Sequence, residues 1–198
     1  MLNIEYPAQH LEHELSSRRP PFIAVVHDFL SPPECAGLVK RIENLGPAAA
    51  PITLGAGRAA MRPEIRNNDR VMFEDVSLAA ALFERLRSAL PVREEAAIGL
   101  NERFRGYRYT RGQRFRPHFD GAYVRNERER SEITLLLYLS DGFVGGETLF
   151  NDLELRVAPR TGMALLFDHQ ILHEGCAVLG GTKYVLRSDV MYPRQNHP

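Results

Sequence analysis

At about Gly99 the texture of the chain changes, and the change leaves few architectures open. Up to that point apolar residues recur mostly at helical spacing. Beyond it they gather in short β-rich runs at 100–109, 133–139, 147–150, 153–157, 164–167 and 184–192. Turn signals separate the runs, among them Arg111-Gly112, Asp141-Gly142, Gly145-Gly146, Asn151-Asp152 and Gly180-Gly181. So many short strands in so little chain bury their apolar faces by stacking two sheets or closing a barrel. With helices first and strands after, the expectation is a mostly β sandwich or barrel carrying helices.

The first half fills in that outline. A strand is expected at 22–26. Ser31-Pro32-Pro33-Glu34 opens a helix: Ser31 caps, the prolines suit the first turn, and Glu34 can reach back to the cap. Leu38, Ile42 and Leu45 continue it, and Gly46-Pro47 stops it. Residues 48–62 read as a flexible loop. A second helix is expected over about 75–90, with Leu78, Leu82, Leu86 and Leu90 as its buried stripe and Pro91 at its end. Residues 1–21 read as a loosely attached N-terminal segment. One domain then spans 22–198, helical over about 22–98 and β over about 99–198.

Composition excludes several classes. Cys35 and Cys176 are too few for a disulfide framework or a cysteine zinc site. No apolar run approaches the roughly 20 residues of a membrane span, and the polar start lacks a signal-peptide core. A cytoplasmic protein without membrane contact is expected. Lys+Arg and Asp+Glu both number 25, so bulk charge argues against a nucleic-acid partner. Lys40 and Lys183 are the only lysines, which draws attention to Lys183.

The chemistry gathers around His118-Phe119-Asp120. Residues two apart on a strand project to one face, so His118 and Asp120 can offer a nitrogen and a carboxylate oxygen to one metal ion. His173, several strands further on, can supply the third ligand once a barrel brings distant strands together. Two histidines and one carboxylate on one face of an ion, with open positions opposite, is the facial triad of non-haem Fe(II) oxygenases. The tripeptide alone is a weak signal; its surroundings make it a strong one.

Those surroundings resemble a known family. The stretch Tyr109-Thr-Arg-Gly-Gln-Arg-Phe-Arg-Pro-His118-Phe-Asp120 is similar to the metal-binding strand of prolyl 4-hydroxylase-like Fe(II)/2-oxoglutarate dioxygenases. So are Thr134-Leu-Leu-Leu-Tyr138, Gly145-Gly146-Glu147-Thr148-Leu149-Phe150, and the run from Val157 to Phe167. His173-Glu-Gly-Cys176 followed by Lys183-Tyr-Val resembles the family's distal histidine and its lysine. The resemblance covers about half of the chain, with the motifs in the family's order. It implies a double-stranded β-helix, a jelly-roll or cupin-like barrel with the N-terminal helices packed on one sheet. It implies Fe(II) held by His118, Asp120 and His173, with 2-oxoglutarate and O2 as cosubstrates, and it brings ascorbate into the set of candidate cofactors. Lys183 would meet the far carboxylate of 2-oxoglutarate, with Tyr109, Tyr138 and Thr148 as further contacts. The activity it implies is hydroxylation of an unactivated C–H in a prolyl, amino-acid-like or small-molecule substrate, with release of succinate and CO2.

Other residues carry open readings. Arg187 shares a strand face with Lys183. It is either a bidentate carboxylate clamp or a partner of Asp189 or of substrate, and family spacing favours Lys183 as the clamp. His169 is a rival ligand, more naturally a core or ligand-supporting histidine. Arg103, Arg105, Arg108, Arg111, Arg114 and Arg116 form either an electropositive rim or, as the simpler reading, a solvated strand edge. Residues 66–70 form a polar patch, a plain turn or a substrate-recognition loop. Residues 121–131 read as a charged, mobile loop at the site entrance. Two other functions stand beside the hydroxylase. One is a nucleic-acid demethylase, disfavoured by zero net charge and the absence of Trp. The other is a non-catalytic module that senses oxygen or 2-oxoglutarate. The sequence leaves the oligomeric state open.

Overall fold

A computed structural model describes residues 1–7, 21–53 and 58–194. The chain begins with β1 (Asn3–Glu5), β2 (Ile23–His27) and α1 (Pro32–Asn44). Then come β3 (Ala48–Ala49), β4 (Ile52–Thr53), β5 (Ala59–Ala60), β6 (Asp69–Glu74) and α2 (Val76–Leu86). The β-rich half holds β7 (Gly99–Leu100), β8 (Arg103–Tyr109), β9 (Phe115–His118), β10 (Val124–Asn126) and β11 (Glu129–Tyr138). It continues through β12 (Val144–Gly145), β13 (Thr148–Phe150), β14 (Leu155–Val157) and β15 (Ala164–Asp168). It ends with β16 (His173–Gly175), β17 (Val178–Gly180) and β18 (Lys183–Pro193).

A large antiparallel sheet runs β1-β2-β15-β11-β18-β8-β6-β3. A small sheet, β14-β13-β16-β9, faces it. Strand alternation gives the large sheet two apolar faces. Ala24, Val26, Ile133, Leu135, Leu137, Leu166 and Leu186 point one way, toward Cys35 and Ile42 of α1 and Leu82 and Leu86 of α2. Ile23, Val25, Tyr107, Tyr109, Tyr138, Leu165 and Val185 point the other way, toward Phe150 and Val157 of the small sheet. This is the squashed barrel of a double-stranded β-helix, with helices on the outside of one sheet.

Local chemistry starts the helices as expected. Ser31 caps α1 in a full capping box with Glu34, and Asp75 caps α2 by accepting from the Leu78 amide. Buried Leu82 and Leu86 anchor α2, which ends at Leu86 and passes into a 3-10 turn over Arg87–Ala89.

Several expectations need correction. The stretch 22–98 holds both helices, but it also supplies β2, β3 and β6 to the large sheet, so helix and sheet are not divided along the chain. β6 begins inside the segment read as a polar patch. It was hidden because Asp69 and Arg70 open it and only Val71, Met72 and Phe73 carry strand character. Because β6 pairs with β8, Arg103, Arg105 and Arg108 do not stand on a free strand edge, while Arg111, Arg114 and Arg116 lie beyond β8 and are exposed. Part of 1–21 is also tied down: β1 pairs with β2, while residues 8–20 lie outside the described residues. The loop expected at 48–62 contains the paired strands β4 and β5, and 54–57 again lie outside the described residues. The 121–131 segment is a β10–β11 hairpin held by Arg125, which bonds Glu129 and Glu102.

Candidate active site

The small sheet brings the three ligand candidates together. β16 pairs with β9 so that His173 lies opposite His118, and Asp120 follows two residues after His118. One ligand atom from each of His118, Asp120 and His173 lies within 4.8 Å of the others. His118 Nε2 is 3.8 Å from Asp120 Oδ1, and His173 Nε2 is 3.6 Å from Asp120 Oδ2.

The ring nitrogens are assigned by their other contacts. His118 Nδ1 is 2.8 Å from the Arg116 carbonyl, and His173 Nδ1 is 2.9 Å from the Ile171 carbonyl. A carbonyl only accepts, so both Nδ1 atoms carry the proton and donate. Both Nε2 lone pairs are then free and converge on the carboxylate. The rings are braced as well: Phe115 stacks on His118 at 3.5 Å between centroids, and Phe167 meets His173 edge-on at 4.5 Å. Burial pushes the His118 pKa down to about 3, with His173 adding to it, and burial lowers that of His173 too. Burial would raise the pKa of Asp120, but Arg187, His173, His118 and the Thr134 hydroxyl outweigh it and hold the carboxyl far below the usual range. Two neutral imidazoles and one anionic oxygen, facing one another without a proton between the ring nitrogens, suit a divalent cation.

A hydrogen-bond chain orients Asp120. Thr134 Oγ1 donates to Asp120 Oδ2 at 2.6 Å. Its oxygen is therefore left to accept from His169 Nδ1, 2.9 Å away. His169 Nε2 then accepts from Ser131 Oγ at 2.8 Å, and Ser131 Oγ accepts from the Tyr123 amide. His169 thus lies outside the triad and acts on it through Thr134. Its carbonyl also accepts from the Asp120 amide at 3.0 Å.

The other oxygen of Asp120 accepts from Arg187 Nη1. Arg187 also donates through Nη2 and Nε to Asp189 Oδ1, at 3.0 and 3.3 Å. Asp189 Oδ2 accepts from Arg105 at 2.8 Å. Arg187 therefore meets the carboxylate partner expected of one of its two readings, and it braces Asp120 besides.

Lys183 stands elsewhere in the same cavity, which is lined by Tyr107, Tyr109, His118, Asp120, Thr148, His173, Lys183 and Arg187 among others. It is 3% exposed, and its Nζ donates to the Gly146 carbonyl at 2.6 Å. The Tyr109 and Tyr138 rings lie 5.3 and 5.4 Å from Nζ. Tyr138 shares a 2.7 Å hydrogen bond with Thr148. Among the described residues no carboxylate forms an ion pair with Lys183, and burial pushes its pKa down to about 8. A buried ammonium without an acid is a place for an anion.

Comparisons with known proteins agree with this geometry. The profile of the 2OG-Fe(II) oxygenase superfamily matches residues 104–188, a span that holds the triad, Lys183 and Arg187. Over these residues the chain is similar to the 2OG-Fe(II) oxygenase superfamily, whose members use Fe(II), 2-oxoglutarate and O2. The likeness is to its prolyl 4-hydroxylase-like members. It is 25% identical to prolyl 4-hydroxylase 1 of Arabidopsis thaliana over 83% of its own length and 66% of that protein. It is 35% identical to the probable prolyl 4-hydroxylase 10 of the same plant, over 38% of this chain and 37% of the relative. The chain thus spans under two thirds of these relatives. The viral collagen prolyl hydroxylase of Paramecium Bursaria Chlorella virus-1, solved with 2-oxoglutarate, shares the fold. Its TM-score is 0.60 at 19% identity, covering 85% of this chain and 95% of that one. No helix among the described residues is long and apolar enough to cross a membrane.

Sequence reading did not assign roles to Thr134 or Ser131. Strand parity carries the signal for the first: Thr134 is the polar residue on the inner side of an otherwise apolar β11 run.

Proposed function

We propose that this oxygenase hydroxylates a C–H bond of a prolyl or other amino-acid-like substrate. Fe(II) held by His118, Asp120 and His173 would supply oxidation by O2 coupled to conversion of 2-oxoglutarate into succinate and CO2. The observation that carries the reading is the pairing, in one cavity, of the triad with a buried cation that has no acid of its own. The prolyl part rests on likeness to the plant prolyl 4-hydroxylases.

The residues divide the work. Lys183 would receive the far carboxylate of 2-oxoglutarate, where a charge-assisted hydrogen bond is strong because water is excluded. Tyr109, Tyr138 and Thr148 line the same end, and the Tyr109 hydroxyl is a ready second donor. Arg187 and Thr134 hold the Asp120 carboxylate ionised and fixed in orientation. The Arg116 and Ile171 carbonyls keep the protons of His118 and His173 on Nδ1. Phe115, Phe150 and Phe167 pack around the imidazoles and exclude water from them. A reducing, cytoplasmic setting suits the two free cysteines, Cys35 and Cys176.

The test is an anaerobic titration with Fe(II) and 2-oxoglutarate, followed by the weak visible charge-transfer band of a chelated ketoacid. The band is expected in the parent and absent in His173→Ala. A folded parent protein that shows no band would overturn the assignment.

A further inference from the structure

The inner face of the large sheet carries cations that the proposed reaction does not use. β6 and β8 set Arg70 opposite Tyr107, and Met72 opposite Arg105. Strand alternation turns Arg70, Tyr107 and Arg105 to one face, and Tyr107 lines the cavity of the triad. Asp189 is already shared by Arg105 and Arg187. Arg66 enters from the segment before β6, held against β9 by a bridge to Phe115. Its guanidinium lies 4.7 Å from the Tyr107 ring centroid and 4.5 Å from that of Phe115. Arg66 is 5% exposed; its Nε donates to the neutral Asn68 amide oxygen at 2.8 Å, and its guanidinium also hydrogen-bonds the Tyr107 phenol, but no carboxylate among the described residues forms an ion pair with it. Its Nη2 is buried without a hydrogen-bond partner.

Arg70 is half-buried, and among the described residues no carboxylate forms an ion pair with it; the Tyr107 phenol favours its charge, and Arg66, Arg105 and Arg103 oppose it. Burial lowers its pKa, Tyr107 works against that, and the three guanidinium groups lower it further. The same positive surroundings act on Tyr107. Burial would raise its phenol, yet Arg66, Arg187 and Arg105 bring it below the ordinary value, which makes its O–H a stronger donor. Buried guanidinium groups without acids are costly, and their geometry suits a carboxylate. The far carboxylate of 2-oxoglutarate does not answer this need, because Lys183 lies opposite Tyr109, further along β8, and has no acid either.

We propose that the substrate oxidised at this site carries a carboxylate, received by Arg66 and Arg70 beside the Tyr107 hydroxyl. This rests on the reading of the cavity as a 2-oxoglutarate oxygenase site, and it narrows the substrate to acids: an amino acid or peptide presenting a carboxylate near the carbon that reacts. An amide of the same shape would leave two cations unpaired.

The test uses the whole chain loaded with Mn(II) and 2-oxoglutarate without oxygen. A panel of N-acetyl-L-amino acids, proline included, is titrated calorimetrically against the matching amides. At least one acid is expected to bind about tenfold or more tighter than its amide, the scale of one lost charge-assisted contact. In Arg70→Gln that preference is expected to shrink to about twofold, and Arg70→Lys to restore part of it. Arg66 is too buried to serve as the main variant, and the acid–amide comparison needs no variant at all. If 2-oxoglutarate binds but no acid exceeds its amide, or no acid binds at millimolar concentration, the inference is overturned while the oxygenase reading stands. If 2-oxoglutarate itself does not bind, the reading fails and the inference with it.

Discussion

Lys183 shows how far one side chain departs from what stability alone would choose. Its pKa falls to about 8 from 10.5 because the folded chain strips water from the ammonium. The folded pKa is the lower one, so the unfolded chain binds more protons between those two values. The penalty is therefore full below about pH 8 and is relieved as pH rises toward 10.5. Its size is about 3 kcal/mol. Lys183→Met should make the ligand-free protein more stable to urea by about 2 kcal/mol at pH 7, after loss of the bond to Gly146. The same variant should no longer be stabilised by 2-oxoglutarate. A variant less stable than the parent would show that the lysine is not a buried, uncompensated charge. The ligand candidates were legible as residue types, His118, Asp120 and a distal His173, but strand alternation does not place them: β9 ends at His118, and Asp120 lies beyond it, held by its amide to the His169 carbonyl. The contacts of Thr134 and Ser131 were not legible, since both depend on His169, far along the chain.

At the scale of elements, the contact of α1 with β8 is set by an absence. A Cβ on Gly106 would lie 2.6 Å from Ile42 Cγ1 and 2.9 Å from Val71 Cγ2. Gly106 faces α1, so its missing side chain lets the helix approach the sheet while Ile42 packs fully buried. Gly106→Ala should cost about 1–3 kcal/mol by overpacking, measured by urea unfolding, and Ile42→Val in the same chain should recover part of it. A neutral Gly106→Ala would mean the helix shifts freely. Both helices were legible because capping and periodicity are local: Ser31 with Glu34, Asp75 with Leu78, and the Leu82–Leu86 stripe. β6 was less legible, because only Val71, Met72 and Phe73 mark it and its place depends on pairing with β8. β9, β10 and β16 were hidden for a related reason. They are three or four residues long and hold His, Arg or Gly, so their strand character comes from their partners.

Over the whole molecule, the triad and Lys183 tie the two sheets into one binding unit. His118 and His173 stand on the small sheet, and Lys183 and Arg187 on the large one. A ligand that spans them binds only the folded state. Mn(II) with 2-oxoglutarate at about a hundred times its Kd should add about 2.7 kcal/mol, which raises Tm by about 5–10 °C. His173→Ala should lose that rise; an unchanged Tm in the parent would argue against binding across the sheets. The chain alone determined its mostly β class, its helix starts and its family resemblance, because these depend on residue identity and short spacing. Only the tertiary structure decided that β6 shields β8, that Asp189 is spent on two arginines, and that Arg66 and Arg70 have no ion-paired carboxylate among the described residues. Those facts depend on which distant strands pair and in what register. A shift of one residue would turn Tyr107 and Lys183 out of the cavity, and it is the packing of both apolar faces of the large sheet that forbids it.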